Sequence, residues 1–308
     1  MKSPSKRILV TGASGFLGRA VCRALIEERQ TVLGTVRNNP AVAGTEALSW
    51  PLEAPAQAAK LLDQSCPDHV IHLASPIDLS RSPTLIKPMN RCIVEAGQSL
   101  ALACEARGIP LLVAGTCEEY GAVEGPYVET MAAPGVSPYS KAKAELSEWL
   151  MQRHALGNLR VTVVRPFLTY GPGQHSNRLI PAAIQAALNH ASFDSTLGEQ
   201  TREFNYVSDM VRALLAATCS ECEGEILNLG GGPERRIRDV ITDIYRLVGA
   251  DIELVNWGAL DYRKGEVKRF VGDHTKSQHL LKIHPQVGLE DGLRATIAWW
   301  RQRAASEN

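Results

Sequence analysis

Short apolar runs alternate along the first half of the chain with longer stretches whose apolar positions recur at helical spacing. The runs Arg7–Thr11, Thr31–Val36, His69–Leu73, Leu111–Ala114 and Val161–Arg165 are predicted as strands. Between them, the 3.6-residue period predicts helices over Phe16–Glu28, Pro55–Gln64, Thr84–Arg107 and Pro138–His154. Strands alternating with helices imply βαβ units, hence an α/β protein built on a doubly wound parallel sheet. Ligands of such sheets bind beyond the carboxyl ends of the strands. From Phe167 onward the pattern changes to Gly- and Pro-containing loops (GPGQHSNR), a helix near Leu179–Asn189 and shorter mixed elements. A later apolar run, Ile226–Leu229, ends in Gly230-Gly231-Gly232 and suggests a return of the chain to the sheet. The expected division is a sheet domain over 1–166, with return segments near 204–230, and a smaller mixed domain over 167–308. The polar tail after Trp300, RQRAASEN, is expected to fray.

Charge narrows the partners. Lys plus Arg and Asp plus Glu both total 33, so the formal net charge is zero. No basic excess points to nucleic acid or to a membrane surface, although a few local arginines could still meet an anionic ligand. The basic start MKSPSKR is followed by an apolar run, Ile8 to Val10, too short for a signal peptide, and no run approaches the ~20 apolar residues of a membrane helix. Seven cysteines without a framework suit a reducing compartment, so a cytoplasmic location is expected. Cys219 and Cys222 form a C-x-x-C with no second pair beside it, and neither a metal nor a redox role is expected of it.

The first strand runs into Val10-Thr11-Gly12-Ala13-Ser14-Gly15-Phe16-Leu17-Gly18. Gly12, Gly15 and Gly18 at intervals of three, between a strand and a helix, are what a pyrophosphate site needs. The glycines allow a tight turn, a close approach of backbone to phosphate, and close packing of helix on strand; the helix then offers free N–H groups. A Rossmann-type dinucleotide site follows, with Ser14, Phe16 and Leu17 beside the glycines. Sites for NAD usually place an acid at the end of the second strand. Here the run Thr31 to Asn38 has none, and Arg37 could pair with a 2′-phosphate instead, with Arg19 as a candidate helper. NADP(H) is therefore favoured, with NAD(H) the alternative.

Tyr139-Ser140-Lys141-Ala142-Lys143 puts a tyrosine and a lysine four residues apart, on one helix face. A nearby ammonium is expected to lower the phenol's pKa from its usual value near ~10, which would let Tyr139 act as acid and base.

With these motifs the chain resembles the extended short-chain dehydrogenases/reductases, specifically their nucleotide-sugar epimerase/dehydratase/reductase group. TGASGFLG, HVIHLAS, GTCEEYG, SPYSKAKAE, RPFLTYGPG, REFNYVSDMVRA, ILNLGGG and DHTKSQHLL carry the resemblance, in the family's order and across nearly the whole length. It implies Thr116 as the catalytic hydroxyl, Tyr139 as acid/base and Lys143 as its partner and ribose ligand. It also places Leu73, Ala74, Ser75 and Arg165 beside the cofactor. Asn90, Thr116, Cys117 and Glu118 would lie at the substrate. Arg178, Arg202 and Arg263 would grip its diphosphate, a task that suits guanidinium forks. Leu168 stands where the family often has Asn, which alters the expected diphosphate contacts.

The same resemblance implies a nucleotide-diphosphate sugar as substrate and a homodimer formed by the helices Thr84–Arg107 and Pro138–His154. Dehydratases of the group show Thr-Asp-Glu or Thr-Ser-Glu; this chain has Thr116-Cys117-Glu118, with Glu118 at the base position. The EEYG run resembles 4-keto-6-deoxy-sugar reductases. Together with Arg37, it favours NADPH-dependent reduction of a keto-sugar. The alternatives are a 4-epimerase or 4,6-dehydratase with tightly bound NAD, an oxidoreductase of a non-nucleotide carbonyl compound, and an inactive cofactor sensor. Intact Thr116, Tyr139 and Lys143 argue against the last.

Overall fold

The computed structural model describes residues 5–37, 39–263 and 265–307. Met1–Pro4 of the basic amino terminus and Asn38 of the second-strand run lie outside them. The first half contains β1 (Arg7–Thr11), α1 (Phe16–Glu27), β2 (Thr31–Thr35), β3 (Thr45–Leu48), α2 (Ala58–Ser65) and β4 (His69–His72). It continues with α3 (Ile86–Met89), α4 (Ala96–Glu105), β5 (Leu111–Ala114), α5 (Pro138–Ala155) and β6 (Val161–Pro166). The second half contains β7 (Thr169–Tyr170), α6 (Leu179–Leu188), β8 (Phe193–Ser195), β9 (Thr201–Glu203), β10 (Asn205–Tyr206), α7 (Val207–Ala216) and β11 (Ile226–Leu229). After it come β12 (Glu234–Arg236), α8 (Ile237–Val248), β13 (Val255–Trp257), β14 (Arg269–Phe270), α9 (Thr275–Leu281) and α10 (Leu289–Glu307).

Seven strands form one parallel sheet in the order β11-β6-β5-β4-β1-β2-β3. Both faces are covered, which is why β5 reads as an unbroken apolar run. Side chains alternate along β1. Leu9 packs with the core of α2, α4 and α5, whereas Ile8 and Val10 pack with that of α1 and α7. A separate core joins α6, α8 and α10. A three-stranded sheet, β12-β9-β14, and the pairs β10-β7 and β13-β8 complete the second half. Among the described residues, no helix is long and apolar enough to cross a membrane.

The structure differs from the pattern in three places. The stretch expected as one helix over Thr84–Arg107 is divided. A 3-10 turn at Pro83–Leu85 leads into α3, and a π-helical stretch at Asn90–Glu95 separates α3 from α4. Each extra residue in a π stretch turns the helix face without moving its apolar spacing far, so periodicity does not reveal it. β3 was not anticipated: its TEAL sequence is short and half-exposed at the sheet edge. The tail expected to fray continues α10 as far as Glu307.

Candidate active site

The carboxyl ends of β1, β4 and β5 bring the sequence-named groups together. At Gly12 the backbone takes φ +71°, and a Cβ there would stand 2.9 Å from the backbone of Ala74. A Cβ on Gly18 would lie 2.1 Å from the Gly12 carbonyl oxygen, so only glycine lets α1 pack this closely. The turn is pinned by the Gly12 N–H donating to Thr35 Oγ1 (3.1 Å) and the Ala13 N–H donating to the Thr35 carbonyl (3.0 Å). Ser14 is half-buried, and Gly15 is exposed at the N-cap of α1. The backbone N–H groups of Phe16 and Leu17, at the start of α1, have no acceptor among the described residues. Orphan donors at a helix start, behind an open glycine turn, suit a pyrophosphate.

Leu73, Ala74 and Ser75 follow β4 and form the neighbouring wall. The Ala74 N–H donates to Thr11 Oγ1 (3.2 Å). That hydroxyl also lies 2.7 Å from His72 Nδ1. His72 is fully buried and held down to about 3, first by burial and then by the charge of Lys143. It is therefore a neutral structural contact. Arg37 is exposed just beyond β2. The Arg19 guanidinium donates to the Pro40 carbonyl (3.3 Å), which occupies one of its donors on the protein itself.

Two caps assemble Thr116, Tyr139 and Lys143. Ser137 caps α5, with Pro138 in its first turn, so Tyr139 and Lys143 lie in the first two turns and are both buried. Thr116 caps a one-turn 3-10 helix, Cys117–Tyr120, at the end of β5. Its N–H donates to Glu119 Oε1 (2.8 Å), while the Glu118 N–H donates to Thr116 Oγ1 (3.3 Å). The Lys143 ammonium donates to the Ala114 carbonyl (2.6 Å), tying α5 to the last residue of β5. Asn90 opens the π-helical stretch, which packs against α5, and its side chain makes no hydrogen bond among the described residues.

The electrostatics correct the expectation of a lowered phenol. Burial raises the Tyr139 pKa, and Cys117, Glu119 and Glu118 push it further up. Only the Thr116 hydroxyl acts in the other direction. Lys143 is fully buried and drops to about 8, partly restored by Glu119. The reason is that the lysine faces a carbonyl inside the protein and loses its own hydration, so desolvation outweighs attraction at both groups.

Adjacent glutamates have opposite fates. Glu119 is fully buried and receives the Arg165 Nε (2.8 Å), the Ser147 hydroxyl (3.2 Å) and the Thr116 N–H. Arg165, named above as a cofactor contact, thus points inward, with its guanidinium 4.6 Å above the Tyr120 ring. Glu118 is half-buried on the open side, with its pKa raised by burial and by Glu266, and drawn down by Arg202, Arg263 and Arg178. Cys117 is buried, and burial and the surrounding carboxylates raise its thiol pKa well above the usual value.

A family model described as "NAD dependent epimerase/dehydratase family" matches residues 8–230. The chain belongs to this family. It is 30% identical to a dTDP-glucose 4,6-dehydratase of Streptomyces griseus, covering 96% of this chain and 94% of that one. A UDP-N-acetyl-alpha-D-glucosaminuronate decarboxylase of Bacillus cytotoxicus is also 30% identical, over 96% and 98% of the two chains. The structure of a UDP-glucose 4-epimerase from Thermotoga maritima, with UDP-glucose, superposes with a TM-score of 0.89 at 25% identity, covering 97% and 99%.

The arginines expected on the substrate of this family are not equivalent. Arg202, on β9, donates from Nη1 to the carbonyls of Thr201 (2.7 Å) and Val267 (3.0 Å) and from Nη2 to Glu266 (2.5 Å). Most of its fork is spent inside the protein. Arg178 and Arg263 are exposed, without a side-chain partner among the described residues, and both act on Glu118. Leu168 packs on the core shared by α6 and α8, so this departure from the family pattern serves packing.

Two groups in the motif stretches were not singled out from sequence. Glu203 receives His274 Nε2 (2.8 Å), the Gly272 N–H (2.7 Å) and the Asn205 side-chain amide (2.9 Å). The other ring nitrogen of His274 lies 3.2 Å from the Asn228 carbonyl. An acceptor at each nitrogen favours the protonated ring: burial lowers the His274 pKa, but Glu203 and the Asn228 carbonyl outweigh it and the net shift is upward. An acid and a histidine seventy-one residues apart carry no local signal of pairing.

Proposed function

We propose that this chain keeps NAD bound, oxidises a nucleotide-linked hexose at C4, and then removes a proton beside the new ketone through Glu118, a 4,6-dehydratase type of reaction. The position of Glu118 carries this reading. It stands two residues from Thr116, lies near enough to Tyr139 to raise that phenol's pKa, and has its own pKa raised by burial. A bound nicotinamide dinucleotide supplies a hydride acceptor that later returns the hydride, and the glycine turn with the orphan N–H groups of Phe16 and Leu17 is suited to hold it. Tyr139 takes the proton of the sugar hydroxyl, Thr116 hydrogen-bonds that oxygen, and Lys143 supplies the buried positive charge. Glu118 accepts the C5 proton and passes it to the departing C6 hydroxyl, which leaves as water; the hydride would return to C6, and the proton taken up by Tyr139 goes to C5, which closes the balance. Arg178 and Arg263 meet the diphosphate, while Arg202 contributes a fixed charge.

The reductase reading drawn from EEYG and Arg37 is replaced. The relatives are named a dehydratase, a decarboxylase and an epimerase, and the family is described as NAD-dependent, which favours the alternative over NADPH-driven reduction. A 4-epimerase is the second reading. Cys117 favours it, because a buried thiol with a raised pKa replaces the carboxylate that many dehydratases carry there.

The test is incubation with dTDP- and UDP-glucose without added cofactor. The expected product is a 4-keto-6-deoxy sugar. Tyr139→Phe should lose turnover of either kind, and Glu118→Gln should slow dehydration by about 10²–10⁴-fold. An epimer formed at unchanged rate by Glu118→Gln would establish the second reading, and strict dependence on added NADPH would reject both. We further infer a homodimer through α4 and α5, on which Leu102 is exposed and Trp149 and Met151 are half-buried; light scattering that gives a monomer mass would reject it.

A further inference from the structure

The only C-x-x-C of the chain lies away from this site. Cys219 and Cys222 fall in the 3-10 turn that follows α7, at the amino ends of β6 and β11, whereas the candidate site lies at the carboxyl ends. Their sulfurs are 3.2 Å apart. The turn holds them there: the Cys222 N–H donates to the Cys219 carbonyl (3.2 Å), and Thr162 Oγ1 donates to the Cys222 carbonyl (2.9 Å). Two residues on, the Gly224 N–H donates to the Val161 carbonyl (2.7 Å), so the segment is fastened to the sheet on both sides of the pair. The two thiols are not alike. Cys222 is completely buried, whereas Cys219 is half-buried and can be reached from solvent. A metal would need more ligands, and among the described residues no group of three or more His, Cys, Asp and Glu side chains is arranged to hold one.

We propose that Cys219 and Cys222 are a redox pair that closes to an intramolecular disulfide, with Cys219 as the attacked and Cys222 as the resolving sulfur. The oxidant is a low-molecular-weight disulfide. The Cys219 thiolate attacks one of its sulfurs, forms a mixed disulfide and expels one small thiolate. Cys222 then loses its proton and attacks Cys219, forming the Cys219–Cys222 bond and expelling the second small thiolate. The protein pair loses two electrons, the oxidant gains them, and the two protons end on the two small thiols. Burial and the nearby Glu221 and Glu225 push the Cys222 thiol up to about 12. A Cys222 thiol so raised slows the closing step but also removes the usual advantage of the reduced form.

The experiment treats the reduced full-length protein with oxidised glutathione, alkylates remaining thiols under denaturing conditions, and weighs the tryptic peptide spanning 213–235. The expected peptide is unalkylated and about 2 Da lighter than the dithiol, and dithiothreitol restores it. Cys222→Ser should stop at a glutathione adduct on Cys219, while Cys219→Ser should leave Cys222 a free thiol. Alkylation of both cysteines after oxidation would overturn the proposal. So would a bridge from either cysteine to the exposed Cys66.

Discussion

Two buried ion pairs lie on either side of the candidate site, and they differ in one respect. Glu119–Arg165 sits beneath the Thr116 turn in the sheet half, with side chains 0% and 4% exposed. Glu203–His274 ties β9 to the loops after β11 and β14, with side chains 4% and 6% exposed. Tyr120 connects them: Arg165 stacks on its ring, its hydroxyl donates to the Asn228 side chain (2.7 Å), and the Asn228 carbonyl receives His274. Arginine stays charged at every accessible pH, whereas histidine does not. The candidate site therefore rests on a support whose cation pH does not alter, while the attachment of the second half to the sheet carries a titratable link.

The largest expected effect comes from breaking the permanent pair. Glu119→Ala leaves Arg165 buried without its counter-charge and removes the acceptor of the Thr116 N–H. Breaking a buried pair on one side costs about 3–5 kcal/mol. Urea unfolding should show that loss, together with loss of turnover. A change below about 1 kcal/mol would mean that Glu119–Arg165 behaves as an exposed pair and is no buried support.

These supports also show where sequence stops being informative. The glycine turn and the strands β1, β4, β5 and β6 were legible because local chemistry fixes them: glycines at set spacing, and apolar runs buried on both faces. Tyr139 and Lys143 were legible as a helical pair, although the direction of their pKa shifts was not. Those shifts depend on the depth of burial and on the Ala114 carbonyl, which only the fold supplies. Arg165 was read as a cofactor contact because a strand-end arginine gives no sign of facing inward to a glutamate forty-six residues earlier. Arg202 was read as a phosphate fork although Glu266 and two carbonyls occupy it. In each case the residue type was visible and its partner was not.

A third buried charge sharpens the contrast, because the role proposed for Lys143 comes at the expense of stability. Its folded pKa lies below the ordinary value, so folding disfavours its charged form. That cost is fully present below about pH 8 and is relieved as pH rises toward 10.5. The drop from 10.5 to about 8 corresponds to about 3 kcal/mol. Lys143→Met should therefore unfold at higher urea than the parent at neutral pH, by up to that amount, while turnover is lost. A variant that is both inactive and less stable would place Lys143 with the structural pairs instead.

The smallest effect is the titration of the second pair. Burial lowers the His274 pKa, but Glu203, the Asn228 carbonyl and Glu129 outweigh it, and the net shift is upward from 6.5. A group whose folded pKa is raised stabilises fully below its unfolded pKa, and that contribution fades as pH rises through the folded value. Asp273, next in the chain, is held low by its cap on Thr275 and stays ionised throughout. Lys143 works in the opposite sense above about pH 8, so the melting temperature must be read against a reference that shares it. His274→Gln is that reference. Between about pH 6 and about pH 9 the advantage of the parent over His274→Gln should shrink, by about 2–4 °C for each kcal/mol lost. Arg165 keeps its charge over the same range, so its side of the first pair adds no such slope. If the advantage over His274→Gln were equally flat, His274 would be a neutral hydrogen-bonding ring and the two supports would be alike.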